Sequence, residues 1–178
     1  MTSAQPPSSP IRRFTDATLE TVLVLLIIGA AAFFRFSGLD WGEYQFLHPD
    51  ERFLVWVGTD IQPVESLAAY FDTANSSLNP HNRGHGFYVY GTFPMFVTRY
   101  LVEWVYGGSG WQEMTDMGRM LSALADLGTV FLVYLIGRRL YGRWVGLLGM
   151  AFSAAAVLQI QQSHFFTMDT FTTFFSTL

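Results

Sequence analysis

The residues best suited to chemistry lie in the run Leu47-His48-Pro49-Asp50-Glu51-Arg52. Adjacent carboxylates suit a site where one takes a proton while the other holds a partner or a metal ion. A plainer reading stands beside that one. Pro49 favours a helix start, and acids in a first turn complement the macrodipole of any surface helix. His48 and Arg52 flank the acids and are placed to contact a substrate. Further along, Arg119 opens a long apolar run. At a helix N-terminus, where N–H groups favour anions, it could clamp a phosphate bidentately; as an alternative it anchors in lipid headgroups. His164 and Asp169 follow a second such run. With Asp50 or Glu51 they make an oxygen- and nitrogen-ligand set for a divalent ion, so Glu51, His164 and Asp169 are the metal candidates; a metal-free site is the other option.

Several classes are excluded. The chain has no cysteine, hence no disulfide framework and no thiolate metal site. No glycine-rich phosphate loop offers a seat to a nucleotide sugar. No basic stripe suggests nucleic acid. Asn79-Pro80-His81-Asn82-Arg83-Gly84-His85-Gly86 reads as an exposed turn. Asn75-Ser76-Ser77 fits a glycosylation sequon, a pattern too common to carry weight.

The elements that must position these residues belong to a membrane. Only 13% of the 178 residues are charged, about half of what a soluble domain carries. Residues 1–16 are rich in Pro, Ser and Thr and are expected to form a disordered tail. Residues 17–36 are long enough to cross ~30 Å of hydrocarbon, with Arg35 snorkelling to the headgroups. No small-x-small cleavage site follows, which favours an uncleaved anchor over a signal peptide. Spans are also predicted over 117–137 and 144–163, with the start of a fourth from about Phe165, as in the N-terminal portion of a longer protein. Asp126 lies inside the second span. An ionisable group at that depth suggests function, although protonation or a hydrogen bond to Gln159 or Gln161 is the plainer expectation.

Orientation follows from arginine, because positive charges near short loops stay cytoplasmic. Arg12 and Arg13 precede the first span, and Arg138, Arg139 and Arg143 fill a tight turn at 138–143. An even number of crossings must separate the two groups. The apolar stretch 87–106 carries Pro94, Arg99 and Glu103, and is therefore expected to lie in the interface as an amphipathic helix. Residues 37–116 become one long external loop holding ten of the fourteen acids. The N-terminus is then cytoplasmic, and Asp50, Glu51, His164 and Asp169 share the external face. The predicted fold class is all-α, a polytopic transmembrane helical protein with juxtamembrane helices in its first loop.

That order of elements resembles the GT-C glycosyltransferases, within them the protein O-mannosyltransferase and aminoarabinose-transferase group, family 39. The resemblance rests on Asp50-Glu51 in the first loop and on Gly118-Arg119-Met120-Leu121-Ser122 opening the second span. It continues through Leu135-Ile136-Gly137-Arg138-Arg139-Leu140-Tyr141-Gly142 and Ser163-His164-Phe165-Phe166-Thr167-Met168-Asp169-Thr170. Met168 stands where the family has Pro before its Asp, and Tyr90-Gly91-Thr92-Phe93-Pro94 where many members have Pro-Pro-Leu. The resemblance implies an inverting transfer of a sugar from a polyprenyl-phosphate carrier to a protein, lipid or glycan acceptor. It implies Asp50 as general base, Glu51 orienting the acceptor or a metal, and Asp169 near the active site. Two alternatives remain: a metal-dependent relative of the oligosaccharyltransferases, and a non-catalytic polytopic protein such as a transporter. A transporter is expected to show discontinuous helices and polar groups at the midplane.

Overall fold

The computed structural model describes residues 10–178, with side chains from Asp16 onward. Among the described residues every regular element is helical: α1 (Pro10–Phe36), α2 (Pro49–Asp60), α3 (Leu67–Phe71), a 3-10 turn (Pro80–Arg83), α4 (Thr92–Tyr106), α5 (Trp111–Tyr141), α6 (Arg143–Ala155), α7 (Val157–Ser163) and α8 (Met168–Thr177). The first helix begins at Pro10, so the expected tail is shorter than 1–16, and residues 1–9 of it lie outside the described residues.

Among the described residues two helices are long and apolar enough to cross a membrane, Asp16–Phe36 within α1 and the whole of α5. Leu25, Leu26 and Phe33 of α1 face outward, as side chains do against lipid tails. The second span outgrows its predicted limits at both ends, and only Gly142 separates α5 from α6. That hairpin closes backbone to backbone. A Cβ on Gly146 would meet the Arg138 nitrogen at 2.7 Å and the Tyr134 oxygen at 2.8 Å, the close approach that small residues allow between membrane helices.

The predicted third span is not a continuous helix. α6 and α7 meet at Ala156, which is extended, and are bent by 58°. The cause is a side chain inserted into the helix ladder. Arg35 is fully buried instead of snorkelling, which corrects the sequence expectation. It donates from Nη1 to the Ala154 carbonyl (3.0 Å) and from Nη2 to that of Ser153 (3.2 Å). Its Nε bonds Asp126 Oδ2 at 2.6 Å. Asp126 therefore pairs with Arg35 of α1 and with neither glutamine; Gln159 instead bonds Ser153 (2.9 Å). One guanidinium thus ties α1, α5 and the break in the third span.

At the opposite end of this bundle Glu20 accepts from Tyr134 and Arg138, and Arg143 lies 3.5 Å from Asp16. Ala31, Val130, Leu147, Met150 and Ala154 form the core between these contacts. A second core holds the segment between α1 and α5. There α4 buries Met95, Thr98, Arg99 and Val102, one face at helical spacing, against α2 and α5. Its other face exposes Phe93, Tyr100, Trp104 and Val105. Pro94 in the first turn and Gly107, in the left-handed region just past the end, bound this amphipathic helix.

Candidate active site

Pro49 sets the start of α2, so Asp50 and Glu51 fall in its first turn. Asp169 likewise occupies the first turn of α8. The two helix starts are brought together by the turn between α7 and α8. Phe166 there is fully buried and its backbone N–H donates to Glu51 Oε1 at 2.9 Å. Close approach to α5 is possible because position 118 is glycine: a Cβ there would meet the Phe166 ring at 2.2 Å.

The adjacent acids have opposite surroundings. Glu51 is fully buried. Its oxygens accept from Arg119 Nε and Nη2, both at 2.7 Å, in a bidentate pair. Arg119 Nη1 donates to the carbonyls of Leu39 (2.6 Å) and Trp41 (3.2 Å). Each of its three nitrogens is engaged inside the protein, so neither the phosphate clamp nor the headgroup anchor describes it. Those carbonyls lie in the turn after α1, near Glu43, Tyr44 and Phe46, which are non-glycine residues with positive φ. Asp50, by contrast, is half-buried and, among the described residues, has no basic partner. Asp169 is exposed and likewise unpaired.

Tyr90, on the segment leading into α4, lies within the electrostatic reach of both. Its hydroxyl is pushed above the usual tyrosine range, first by burial and then by the nearby Asp50 and Asp169 carboxylates. Tyr90 belongs to the site although its chemistry is invisible in sequence; the only signal was its place beside the Gly91-Thr92-Phe93-Pro94 segment.

Other candidates fall outside this constellation. The His164 ring nitrogens face the Ile160 carbonyl (2.6 Å) and the Ser37 carbonyl (3.0 Å), which makes it a fastener between α7 and the end of α1. His48 is the N-cap of α2, its ring 4.6 Å from that of Phe165, with Nδ1 buried and unbonded. Arg52 is exposed. Standing two residues from Asp50, it projects from a different flank of α2. His85 bonds Asp60 (2.8 Å), and His81 is exposed. Among the described residues no three His, Asp or Glu side chains are grouped to hold a metal ion. The expected set of Glu51, His164 and Asp169 is not assembled, because Glu51 is spent on Arg119 and His164 on backbone carbonyls.

An apolar groove of about 620 Å³ is lined in part by Gly91 and Met168, the sequence neighbours of Tyr90 and Asp169. Gly91, Phe93 and Pro94 line one wall, Met168, Phe171 and Phe175 the other. It continues past Phe93 and Phe171 to Leu121 and Leu124 of α5.

Two tyrosines here predict an alkaline limit. Burial, with a smaller push from Tyr90, raises Tyr88, whose hydroxyl donates to the Gly91 carbonyl (3.1 Å). Both folded values lie above the unfolded value of about 10. Their contribution to stability is thus complete below pH ~10 and is lost as pH rises through the folded values. Thermal unfolding in detergent across that range is expected to show a shallower alkaline decline for Tyr88→Phe/Tyr90→Phe than for wild type. Parallel declines would place the alkaline loss elsewhere.

No family model matches the chain, and neither a curated protein nor a solved structure matches it.

Proposed function

We propose that the protein is a polytopic membrane glycosyltransferase that moves a sugar from a polyprenyl-phosphate carrier to an acceptor at the external face. One observation carries the reading: among the described residues Asp50 and Asp169 have no basic partner, both act on Tyr90, and the neighbours of Tyr90 and Asp169 in sequence, Gly91 and Met168, line an apolar groove. The groove suits the carrier's hydrocarbon chain, and the acids suit the reacting end. In the transfer, an acceptor hydroxyl or amine attacks the anomeric carbon and gives its proton to Asp50. The bond from that carbon to the phosphate oxygen breaks, and polyprenyl phosphate leaves with the electron pair. Attack and departure on opposite faces invert the configuration. Phosphate leaves readily, so the reaction asks for a base and no strong acid.

The proposed topology is three crossings, α1, α5 and the bent pair α6–α7, with the N-terminus cytoplasmic. The contacts of Asp16 and Glu20 with Arg143 and Arg138 support it, since they hold the start of α1 and the arginine-rich turn at one end of the bundle. Membrane lipids then surround the outward apolar faces.

The broken third span is the one observation that favours a transporter. The carbonyls of Ser153 and Ala154 at the break are met by Arg35, and Asp126 is paired to the same side chain, so the polar groups at this break are engaged with one another. Among the described residues no three His, Asp or Glu side chains are grouped as the metal-dependent alternative would require.

The test is turnover of radiolabelled polyprenyl-phosphate sugars by the full chain in membranes, with a panel of sugars and acceptors. Release of sugar from one carrier, dependent on acceptor, is the expected result. Substrate-driven flux across sealed vesicles without sugar transfer would replace this reading by transport.

A further inference from the structure

We infer that Glu51 and Arg119 are a positioning pair, which fixes the separation of Asp50 and Asp169 without touching substrate. The inference rests on the transfer reaction proposed above.

The geometry concentrates on one atom. Glu51 Oε1 accepts both from Arg119 Nε on α5 (2.7 Å) and from the Phe166 backbone N–H (2.9 Å). Glu51 is covalently next to Asp50, and Phe166 is three residues before Asp169. Holding this carboxylate therefore holds both helix starts. Arg119 is in turn fixed by Glu51 Oε2 and by the Leu39 and Trp41 carbonyls. Four stretches of chain converge on the pair: the turn after α1, the first turn of α2, α5, and the turn before α8.

Burial separates this role from substrate binding. The two side chains are 0% and 2% exposed, so neither faces a ligand. Nor is stability a sufficient reason for the pair. Buried ion pairs replaced by apolar side chains of similar volume are often neutral or stabilising, whereas a bidentate, fully bonded pair specifies one arrangement. A displacement of 1 Å between reacting groups can cost about 10²-fold in rate, which is the scale on which such a pair acts.

Arg119→Lys and Glu51→Gln test the idea, since both keep a polar partner and similar size. Lysine has no planar fork and cannot make the two parallel bonds together with those to the carbonyls. The expected result is kcat lower by about 10-fold to 10²-fold with KM for the donor unchanged. A role in holding the donor phosphate predicts the reverse, a raised KM at unchanged kcat, and that result would overturn the inference.

A second readout does not depend on turnover. The native chain has no cysteine, so spin labels attached to Thr59→Cys on α2 and Thr173→Cys on α8 report the separation of the two helices. With Glu51→Gln the distance distribution is expected to broaden or shift relative to the labelled parent. An unchanged distribution would show that the pair does not hold α2 and α8, and would overturn the inference even if activity fell. Wild type that transfers no sugar from any donor would remove the proposed function, while the distances still decide whether the pair couples the helices.

Discussion

Asp50→Asn is expected to lower the proposed sugar transfer by about 10²-fold to 10⁴-fold, the range that a positioned general base supplies. The substitution is chosen for what it preserves. Asparagine has nearly the same shape and keeps one acceptor oxygen. It cannot take the proton of an attacking hydroxyl. The loss should therefore fall on kcat, with donor KM little changed and equal protein in the membrane. The measurement is initial-rate transfer from labelled carrier for both proteins at matched membrane content. Wild-type rates in Asp50→Asn would remove Asp50 as the base and leave Asp169, the other unpaired carboxylate at the groove, to be tested by the same substitution.

The largest expected loss of stability comes from the other buried arginine. Arg35→Met strands Asp126, 2% exposed, without a counter-charge, and leaves the Ser153 and Ala154 carbonyls without their donor. Removing one partner of a buried pair costs about 3–5 kcal/mol, because the remaining charge is uncompensated. Arg35→Met/Asp126→Leu removes that charge as well and is expected to recover most of the loss. The remainder is the share of the two carbonyls at the helix break. Chemical unfolding in detergent, on wild type, both single variants and the double, separates these contributions as a double-mutant cycle. A single variant as stable as the double would show that Asp126 is not stranded, and that the bend at Ala156 is held by something else.

What could be read from sequence was what acts locally. The apolar runs of α1 and α5, the start of α2 at Pro49, and α4 as an amphipathic helix with an arginine inside all follow from composition and periodicity over one or two turns. What could not be read was pairing. Periodicity says which face of α5 is buried, but not that Arg119 meets Glu51 or that Asp126 meets Arg35. Opposite charges in two apolar helices were a usable hint for the latter, since an ionisable group in a membrane segment needs a partner. The break in the third span left no local mark: Ser153-Ala154-Ala155-Ala156-Val157 contains neither glycine nor proline, and its cause lies on another helix. The same limit explains the two misplaced roles. Glu51 and Arg119 have the residue types of a ligand-binding site, and only burial shows that each is the other's ligand.

The Arg35–Asp126 pair also sets an order of events during biosynthesis. Its partners are 91 residues apart, so α1 is made well before Asp126 exists. At translation rates of about 5–20 residues per second, that interval is on the order of 5–20 s. Throughout it Arg35 is a charge without a mate at the end of a membrane helix, where its stem lets the guanidinium reach the headgroups. Only when α5 arrives can the arginine leave the lipid surface for its carboxylate, and only later, once Ser153 and Ala154 follow, can it receive the carbonyls that bend the third span. The snorkelling position expected for an isolated helix is thus the one open to this residue before its partners are made, and the buried pair is the arrangement of the folded chain.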